Sequence, residues 1–255
     1  MASMRIMVVQ LNQIGSIMTN LLAGIKQADA VEEVKDNLGG SKFSPVDSGI
    51  YEATIKYAYL KPSAGGALGL HMELDLDNGS TVRESIYLTK RTGENYYVDK
   101  NDASKKHLLP GYITADAIAL LGAQKPIAEL NTEDKIIKLY DSAQQAEVPT
   151  TVPMLTALTG KTMKGGIVKI VEDKQVKNDA GAYVKGDGVR TKNEIDKVFH
   201  PTNNMTVPEL RAGATEAEFY DAWKAKWDGK VDDKSTGTGT AASAKAKPAV
   251  SSLFK

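Results

Sequence analysis

The chain has 255 residues, of which 42% are hydrophobic and 25% charged, a normal balance for one large or two small globular domains. Its 32 basic and 32 acidic side chains cancel, which excludes a wholly basic nucleic-acid coat but allows a local basic surface. Cysteine is absent, which excludes disulfides and thiolate metal sites. No uninterrupted run of about 18 apolar residues occurs, so we expect no membrane span and a cytoplasmic protein.

The first segment, residues 1–40, predicts an N-terminal helix with one narrow apolar seam. The seam residues recur at alternating spacings of four and three and are Met7, Leu11, Ile14, Met18, Leu21 and Ile25. Such a helix either packs on its own domain or pairs with a second copy to form a homodimer. The seam is short for a coiled coil, which favours packing on its own domain and leaves the homodimer as the alternative.

Residues 49–97 carry the strongest strand signal. Strands are predicted at 49–59, 67–75 and 80–89, with a hairpin turn at Asn78-Gly79. In the second strand every other residue is Leu or Met, and the positions between carry Gly, His and acidic side chains. The pattern predicts a three-stranded meander with an apolar inner face and an outer face of Arg, His and Tyr side chains.

The chain after the meander predicts mixed helical and strand segments. Residues 90–107 interleave cations and aromatics in a loop or irregular hairpin. Helices are predicted at 112–130 and 132–140, followed by a polar, non-helical connector at 143–153. Further strands are predicted at 165–172 and 189–199, separated by a polar excursion.

The C-terminal part predicts one more helix and a tail. Between residues 215 and 228, Phe219, Trp223 and Trp227 share one helical face, which we expect to dock on the domain. Residues 231–255 form a flexible low-complexity tail of Ser, Thr, Gly, Ala and Lys with an apolar tip at Leu253-Phe254.

Residues with catalytic or metal-binding chemistry are sparse. His71, His107 and His200 are far apart in the sequence and none has a helical His partner, so we assign no metal. Glu73 and Asp75 share a strand face, and we interpret them as solvated charges rather than as a pair of catalytic carboxylates. The sequence therefore predicts a protein that is not an enzyme and needs no cofactor.

Cationic and aromatic residues are interleaved in and beside the predicted meander. Proteins that hold single-stranded nucleic acid without reading its sequence use cations for the phosphates and aromatic faces for the bases. The candidate contacts are Lys56, Tyr57, Tyr59, Lys61, Arg83, Tyr87, Lys90, Arg91, Tyr96, Tyr97, Lys100, Lys105, Lys106 and Tyr183. The alternative for any one of them is structural, because strand tyrosines are often partly core and lysines coat most soluble sheets.

Several stretches between residues 43 and 200 resemble bacteriophage single-stranded DNA-binding proteins that are built on an OB-fold. The stretches are Gly49-Ile50-Tyr51-Glu52-Ala53-Thr54-Ile55, Ser63-Ala64-Gly65-Gly66, Leu70-His71-Met72-Glu73-Leu74, Tyr87-Leu88-Thr89, Leu158-Thr159-Gly160-Lys161, and Thr191-Lys192-Asn193-Glu194-Ile195 with Val198-Phe199.

The resemblance implies a mainly β fold with added helices (α+β) over residues 41–230. Its centre would be a five-stranded OB-fold barrel with a helical insertion at about 112–157, between strands three and four, and a C-terminal helix at about 215–228. The ligand of such a barrel crosses strands two and three, between the loops that join strands one to two and four to five. These positions add His71, Lys174, Lys177 and Lys185 to the candidates and include Lys61, Arg83 and Tyr87.

The expected function is sequence-nonspecific binding of single-stranded DNA in phage DNA replication or recombination, in the cytoplasm of the host cell. The alternative is a non-catalytic protein-interaction or assembly module of a phage. Leu253 and Phe254 are candidates for binding replication proteins, although the tail from Lys234 onward is basic where the resembled group is often acidic. Its basic residues would alternatively contact DNA.

Overall fold

The computed structural model of the protein describes residues 44–141, 143–179 and 181–236. Predictions for residues 1–43, including the seam helix and the homodimer, and for residues 237–255, including Leu253 and Phe254, lie outside these residues. Within the described part the protein is mainly β with three α-helices, which confirms the expected α+β class. None of the described helices is long and apolar enough to cross a membrane.

Ten strands and three α-helices make up this part of the chain. The strands are β1 (Gly49–Pro62), β2 (Leu68–Leu76), β3 (Thr81–Tyr87), β4 (Tyr96–Val98), β5 (Lys106–Leu108), β6 (Glu133–Asp141), β7 (Ala146–Met154), β8 (Thr162–Lys177), β9 (Tyr183–Phe199) and β10 (Val231–Asp233). The helices are α1 (Pro110–Ala123), α2 (Val207–Arg211) and α3 (Glu218–Trp227), with short 3₁₀ turns at Ile127–Glu129 and Thr156–Leu158.

The predicted meander is confirmed, because β2 pairs antiparallel with β1 and with β3. The Asn78-Gly79 turn joins β2 to β3, and Gly79 adopts the positive φ of 78° that such a turn favours. Leu70, Met72 and Leu74 are buried on the inner face of β2, as the alternation predicts.

The main sheet is open, whereas the resemblance implied a closed barrel. β1 also pairs with β8 and β8 with β9, so the strands follow one another as β3, β2, β1, β8 and β9. Closure would need backbone pairing between β3 and β9, and the described strands do not pair there. A side chain spans this gap instead, since Glu84 Oε2 of β3 accepts a hydrogen bond of 3.1 Å from the Ile195 backbone N–H of β9.

Helix α1 covers the inner face of the sheet. It buries Ala115, Ile118 and Ala119 against the same core that holds the inner residues of β1, β2 and β8. At its first turn α1 lies directly against β3: a Cβ at Gly111 would lie 2.3 Å from the backbone oxygen of Tyr87. Only glycine permits this approach, so Gly111 sets the distance between α1 and β3.

The helix predicted at 132–140 is wrong, and so is the extent of the helical insertion. Residues 133–154 form an antiparallel hairpin of β6 and β7, and the connector predicted at 143–153 is mostly strand. Ile137 and Leu139 alternate toward Tyr59 of β1 and pack in one cluster with it. The short apolar run is compatible with the period of a helix or with that of a strand. The contact with the distant strand β1 favours the strand.

The β8–β9 hairpin extends well beyond the predicted strands and includes most of the predicted polar excursion. Its pairing continues to Lys177 and Tyr183, with irregular register after Asp173. The predicted tail also begins later than residue 231, because β10 pairs in parallel with β8. Thr236, the last described residue, donates its hydroxyl to Asp173 Oδ2 at 2.6 Å.

The predicted last helix is confirmed as α3, and Trp223 anchors it. Trp223 is buried beside Phe199 and donates its indole N–H to Asp196 Oδ2 at 2.7 Å. Asp196 is available because a bulge in the β8–β9 pairing leaves it without a partner on β8. Phe219, on the same helical face, is 41% exposed, so the predicted docking holds fully only for Trp223.

We expect Gly111→Ala and Gly122→Ala to change stability in opposite directions, although both positions lie in α1. At Gly111 the new methyl collides with the Tyr87 backbone and should lower the free energy of unfolding by about 1–3 kcal/mol. At Gly122 the nearest atom to a new methyl would be Leu158 Cδ2 at 3.5 Å, which is an ordinary contact. Alanine at this position should therefore raise the free energy of unfolding by about 0.4–1 kcal/mol. Urea unfolding of both variants checks this; a Gly111→Ala variant as stable as the wild type would contradict the close approach at Gly111.

Candidate functional site

A buried carboxylate, Glu73, lies at the centre of the outer face of the meander. A β-bulge in β1 after Ile55 places two successive residues opposite it. Both therefore reach the same carboxylate: Lys56 Nζ donates to Oε1 at 2.7 Å and Tyr57 Oη donates to Oε2 at 2.6 Å. Arg83, the β3 partner of Glu73, donates its Nε to Oε2 at 2.8 Å. One carboxylate thus joins β1, β2 and β3.

The surroundings of Glu73 keep it ionised. Burial by itself raises its pKa, but hydrogen bonds from Lys56, Tyr57 and Arg83 outweigh burial and hold the pKa of Glu73 at about 2. The interpretation of Glu73 as a solvated charge is therefore wrong. Two cations share this one carboxylate, so the cluster keeps one net positive charge on the outer face.

Tyr59 and His71 form a stacked pair beside this cluster. Their ring centroids are 5.3 Å apart with an interplanar angle of 17°, and Ser85 Oγ lies 2.8 Å from His71 Nδ1. Tyr59 is only 7% exposed, because it also packs with Val152 and Met154 of β7. The structural alternative thus applies to Tyr59, which presents no open face on which a base could stack.

A cleft of about 230 Å³ separates the outer face of the meander from the β6–β7 hairpin, and we call it the hairpin cleft. Its cationic residues are Lys61 of β1, Arg83 of β3 and Lys138 of β6. Tyr140 of β6 is an exposed aromatic residue of the lining, and Glu84 is the acidic one. The lining therefore has a positive balance.

A larger cleft of about 770 Å³ lies on the other side of β3, between β5, α1 and β9, and we call it the helix cleft. Tyr87 and Tyr97 line it and are 49% and 44% exposed. Its charged residues nearly balance and are Glu84, Lys106, Glu194, Asp196 and Lys197. Glu84 and Ser85 line both clefts, so the two meet at β3.

The segment between β3 and β5 forms a basic and aromatic rim beside the helix cleft. Lys90 Nζ and Lys106 Nζ lie 5.5 Å and 4.5 Å from the ring centroid of Tyr96, within cation–π distance. Arg91 packs against the β1–β2 loop, where a Cβ at Gly65 would lie 3.3 Å from Arg91 Nε. The predicted loop or irregular hairpin is thus a short hairpin that carries its cations next to the meander.

The turn between β4 and β5 carries the remaining candidates of this rim. Lys100 is exposed, and Lys105 pairs with Asp102 at 3.2 Å. The Tyr97 ring lies 5.3 Å from that of His107. The structure therefore brings Tyr87, Tyr97 and Lys106 to one cleft, while Lys100 and Lys105 lie on the turn beyond it.

The four candidates on the β8–β9 hairpin form a separate group. Lys177 Nζ lies 5.4 Å from the ring centroid of Tyr183, while Lys185 pairs with Asp173 at 3.3 Å. Lys174 is exposed. None of the four lines either cleft, so the structure does not bring them together with the meander candidates around the two cavities described above.

The sequence analysis did not name all residues of the clefts, and three of those it missed are informative. Lys138 and Tyr140 were missed because their segment was predicted as helix, in which they face no sheet. Glu84 carried a detectable signal: it occupies an inward position of β3 between Val82 and Ile86, where an acidic residue is unusual.

Among residues 44–141, 143–179 and 181–236 no group of His, Asp and Glu side chains has the arrangement of a metal site. Comparison with protein-family models finds no family that matches this chain, and comparison with curated proteins finds no matching relative. The two clefts are therefore the features of the molecule that indicate a function.

Glu84 should make stability depend on pH. Burial raises the pKa of Glu84 to about 7, and the nearby Glu194 acts in the same direction, although backbone N–H groups of Ile195 and Ser85 donate to it. Because the folded-state pKa lies above the ordinary carboxyl value of 4.5, protonated Glu84 favours the folded state. This contribution is complete below about pH 4.5 and is lost as the pH rises through 7.

We expect the free energy of unfolding of the wild-type protein to fall by roughly 2.5 kcal/mol, relative to Glu84→Gln, between pH 5 and pH 8. The amide stays neutral, so the variant lacks this titration. Glu52→Gln, at an exposed position of β1, is the control and should keep the wild-type slope. Urea unfolding at several pH values measures the difference, and equal slopes for wild type and Glu84→Gln would refute it.

Proposed function

We propose that the protein binds single-stranded DNA without sequence preference across β2 and β3. The observation that carries this proposal is the meeting of the two clefts at Ser85, with cations at one end and exposed tyrosines at the other. Phosphates require cations along a groove, and bases of any identity stack on aromatic faces. A single strand of DNA that crosses β3 at this point would contact both the cations and the aromatic faces.

The positive end of this path lies in the hairpin cleft. Glu73 already neutralises part of the charge of Lys56 and Arg83, so Lys61 and Lys138 are the cations that we assign to phosphates. They stand on opposite walls, one on β1 and the other on β6. The β6–β7 hairpin is thus the second wall of the groove, and Tyr140 adds an aromatic face to it.

The aromatic end lies in the helix cleft and along its rim. Tyr87 and Tyr97 offer exposed rings, whereas Tyr96 is flanked by two lysines. The acidic residues of this cleft make it a poor phosphate site, because like charges repel. Bases are therefore the part of DNA that we assign to this cleft, while Arg91, Lys90 and Lys106 hold phosphates at its rim.

We further propose that the sheet is an OB-fold in its partly open form. The strand order β3, β2, β1, β8 and β9 supports this assignment, since a five-stranded OB-fold has a meander followed by two strands that return beside the first. In such folds the face of the second and third strands binds oligonucleotides. A role in phage DNA replication or recombination, inside a host cell, rests on the sequence resemblance alone and stays a prediction.

A protein-interaction module is the second candidate. Ile136 of β6 is 73% exposed, and it lies on a strand whose outer edge pairs with no other described strand. Exposed apolar side chains on a free strand edge favour association with another polypeptide. This function would predict no difference between single-stranded DNA and duplex DNA in the titrations below.

The first test is a titration with labelled oligo-dT and with a duplex of equal length, at low and moderate salt. We expect tighter binding to the single strand, with an affinity that falls as salt rises because phosphate contacts release counterions. Weak binding of equal strength to both ligands would overturn the proposal and favour the interaction module.

Tyr87→Ala and Tyr97→Ala should each weaken binding of oligo-dT by about five-fold to a hundred-fold, since stacking contributes roughly 1–3 kcal/mol per base. Tyr87→Phe and Tyr97→Phe are the matched controls: they retain the ring and should bind like wild type. Fluorescence anisotropy at one salt concentration measures all four variants. Equal losses for the Ala and Phe variants would show that the hydroxyl matters rather than the stacked face, contrary to the assignment.

Lys138→Gln should weaken binding to every sequence alike and reduce the slope of log affinity against log salt by about 0.7–1. Lys226→Gln removes the same charge from an exposed position of α3, outside both clefts, and should leave the slope unchanged. Salt titrations with oligo-dT and oligo-dA measure both variants. If the two variants change the slope equally, only the overall charge matters, and β6 is not a wall of the groove.

A further inference from the structure

A second, apolar groove lies beside the helix cleft, between α1, the end of β9, α2 and the start of α3. It has a volume of about 300 Å³, and its apolar residues are Ile113, Ala117, Val198, Val207, Pro208 and Phe219. Ile113 and Phe219 are 52% and 41% exposed, so the described residues leave this groove largely uncovered. We call it the apolar groove.

The chain itself carries a segment whose chemistry suits the apolar groove. Leu253 and Phe254 are neighbouring large apolar residues at the tip of a polar tail. A cavity of about 300 Å³ is at the small end of the range for ligand sites, which suits two neighbouring side chains better than a long apolar segment. We propose that Leu253 and Phe254 of the same chain occupy the apolar groove.

The charges around the groove and along the tail are complementary. Asp196 and Glu209 line the groove, and Lys197 is the one cation of its lining. Glu216 and Glu218 precede its Phe219 in the sequence. The charged side chains of the last part of the tail are all basic, namely Lys245, Lys247 and Lys255. Opposite charges attract over about 10 Å at moderate salt, so the rim favours this tail over an acidic one.

The tail is long enough to reach the groove. Its last described residue, Thr236, is bonded to Asp173 of β8, whereas Val198 of the groove pairs with Gly165 of β8. The eight residue steps from 165 to 173 cover about 26 Å of strand. The 17 residue steps from Thr236 to Leu253 reach up to about 56 Å when extended, roughly twice that distance.

The absence of cysteine in the sequence allows a direct test by disulfide trapping in the full chain. The test variant carries Thr114→Cys, in the groove lining on α1, and Ser252→Cys, next to the apolar tip. The control carries Lys224→Cys, at an exposed position of α3 outside the groove lining, with the same Ser252→Cys. We expect the intrachain disulfide to form at least ten-fold faster in the test variant under mild oxidation without DNA.

Adding Leu253→Ser and Phe254→Ser to the test variant should slow trapping at least ten-fold, because the tip loses its apolar contacts. A second pair, Pro208→Cys with Ser252→Cys, places the cysteine on α2, in a part of the groove lining that the helix cleft does not share, and should also trap quickly. It also guards against local damage at position 114. Equal rates in test and control variants would overturn the proposal. Disulfides only between chains, detected as dimers on non-reducing gels, would overturn it in favour of a second copy. DNA is absent throughout, so the outcome is independent of the proposed DNA binding.

Discussion

The outer face of the sheet depends on one buried charge, the carboxylate of Glu73. It lies on β2 and receives hydrogen bonds from Lys56 and Tyr57 of β1 and from Arg83 of β3. The carboxylate is the desolvated partner, since the side chains of Lys56 and Arg83 keep 52% and 48% of their exposure. Removing the donors would leave a buried charge without compensation, which destabilises a protein far more than the loss of an exposed ion pair.

Glu73 and Glu84 show how two acidic residues of one sheet acquire opposite properties. Both are shielded from water, and burial alone raises the pKa of each. Glu73 has two cations and a phenol as hydrogen-bond donors, which hold its pKa at about 2. Glu84 has mainly backbone N–H donors and the acidic neighbour Glu194, and its pKa is about 7. Glu73 therefore stays ionised and holds the three strands of the meander together at any ordinary buffer pH. Glu84 changes its protonation state near pH 7, so the contact between β3 and β9 depends on pH in the neutral range.

The sequence predicts the meander well because its information is local. Alternation from Leu68 to Leu76 and the Asn78-Gly79 turn fix strands, faces and register without reference to the rest of the chain. The β6–β7 hairpin could not be predicted in this way, because Ile137 finds its partner Tyr59 about 80 positions earlier. The bulge at Lys56 was equally hidden: in a regular strand Lys56 and Tyr57 point to opposite faces, and no composition signal marks the extra residue. The sequence therefore indicates candidate residues on the meander, but not the β6–β7 hairpin that faces them.

If the protein binds single-stranded DNA as proposed, the division of charge between the two clefts limits how the strand can lie across β3. The hairpin cleft has a positive balance and the helix cleft does not, so a strand with its phosphates in the helix cleft would meet Glu194 and Asp196. Turning the bases toward Tyr87 and Tyr97 instead leaves the phosphates outside, near Lys90 and the other cations of the rim. On the proposed function, the carboxylates would disfavour the orientation with phosphates in the helix cleft. No base-specific contact would then be needed to select single strands over duplexes, whose bases are already stacked on one another.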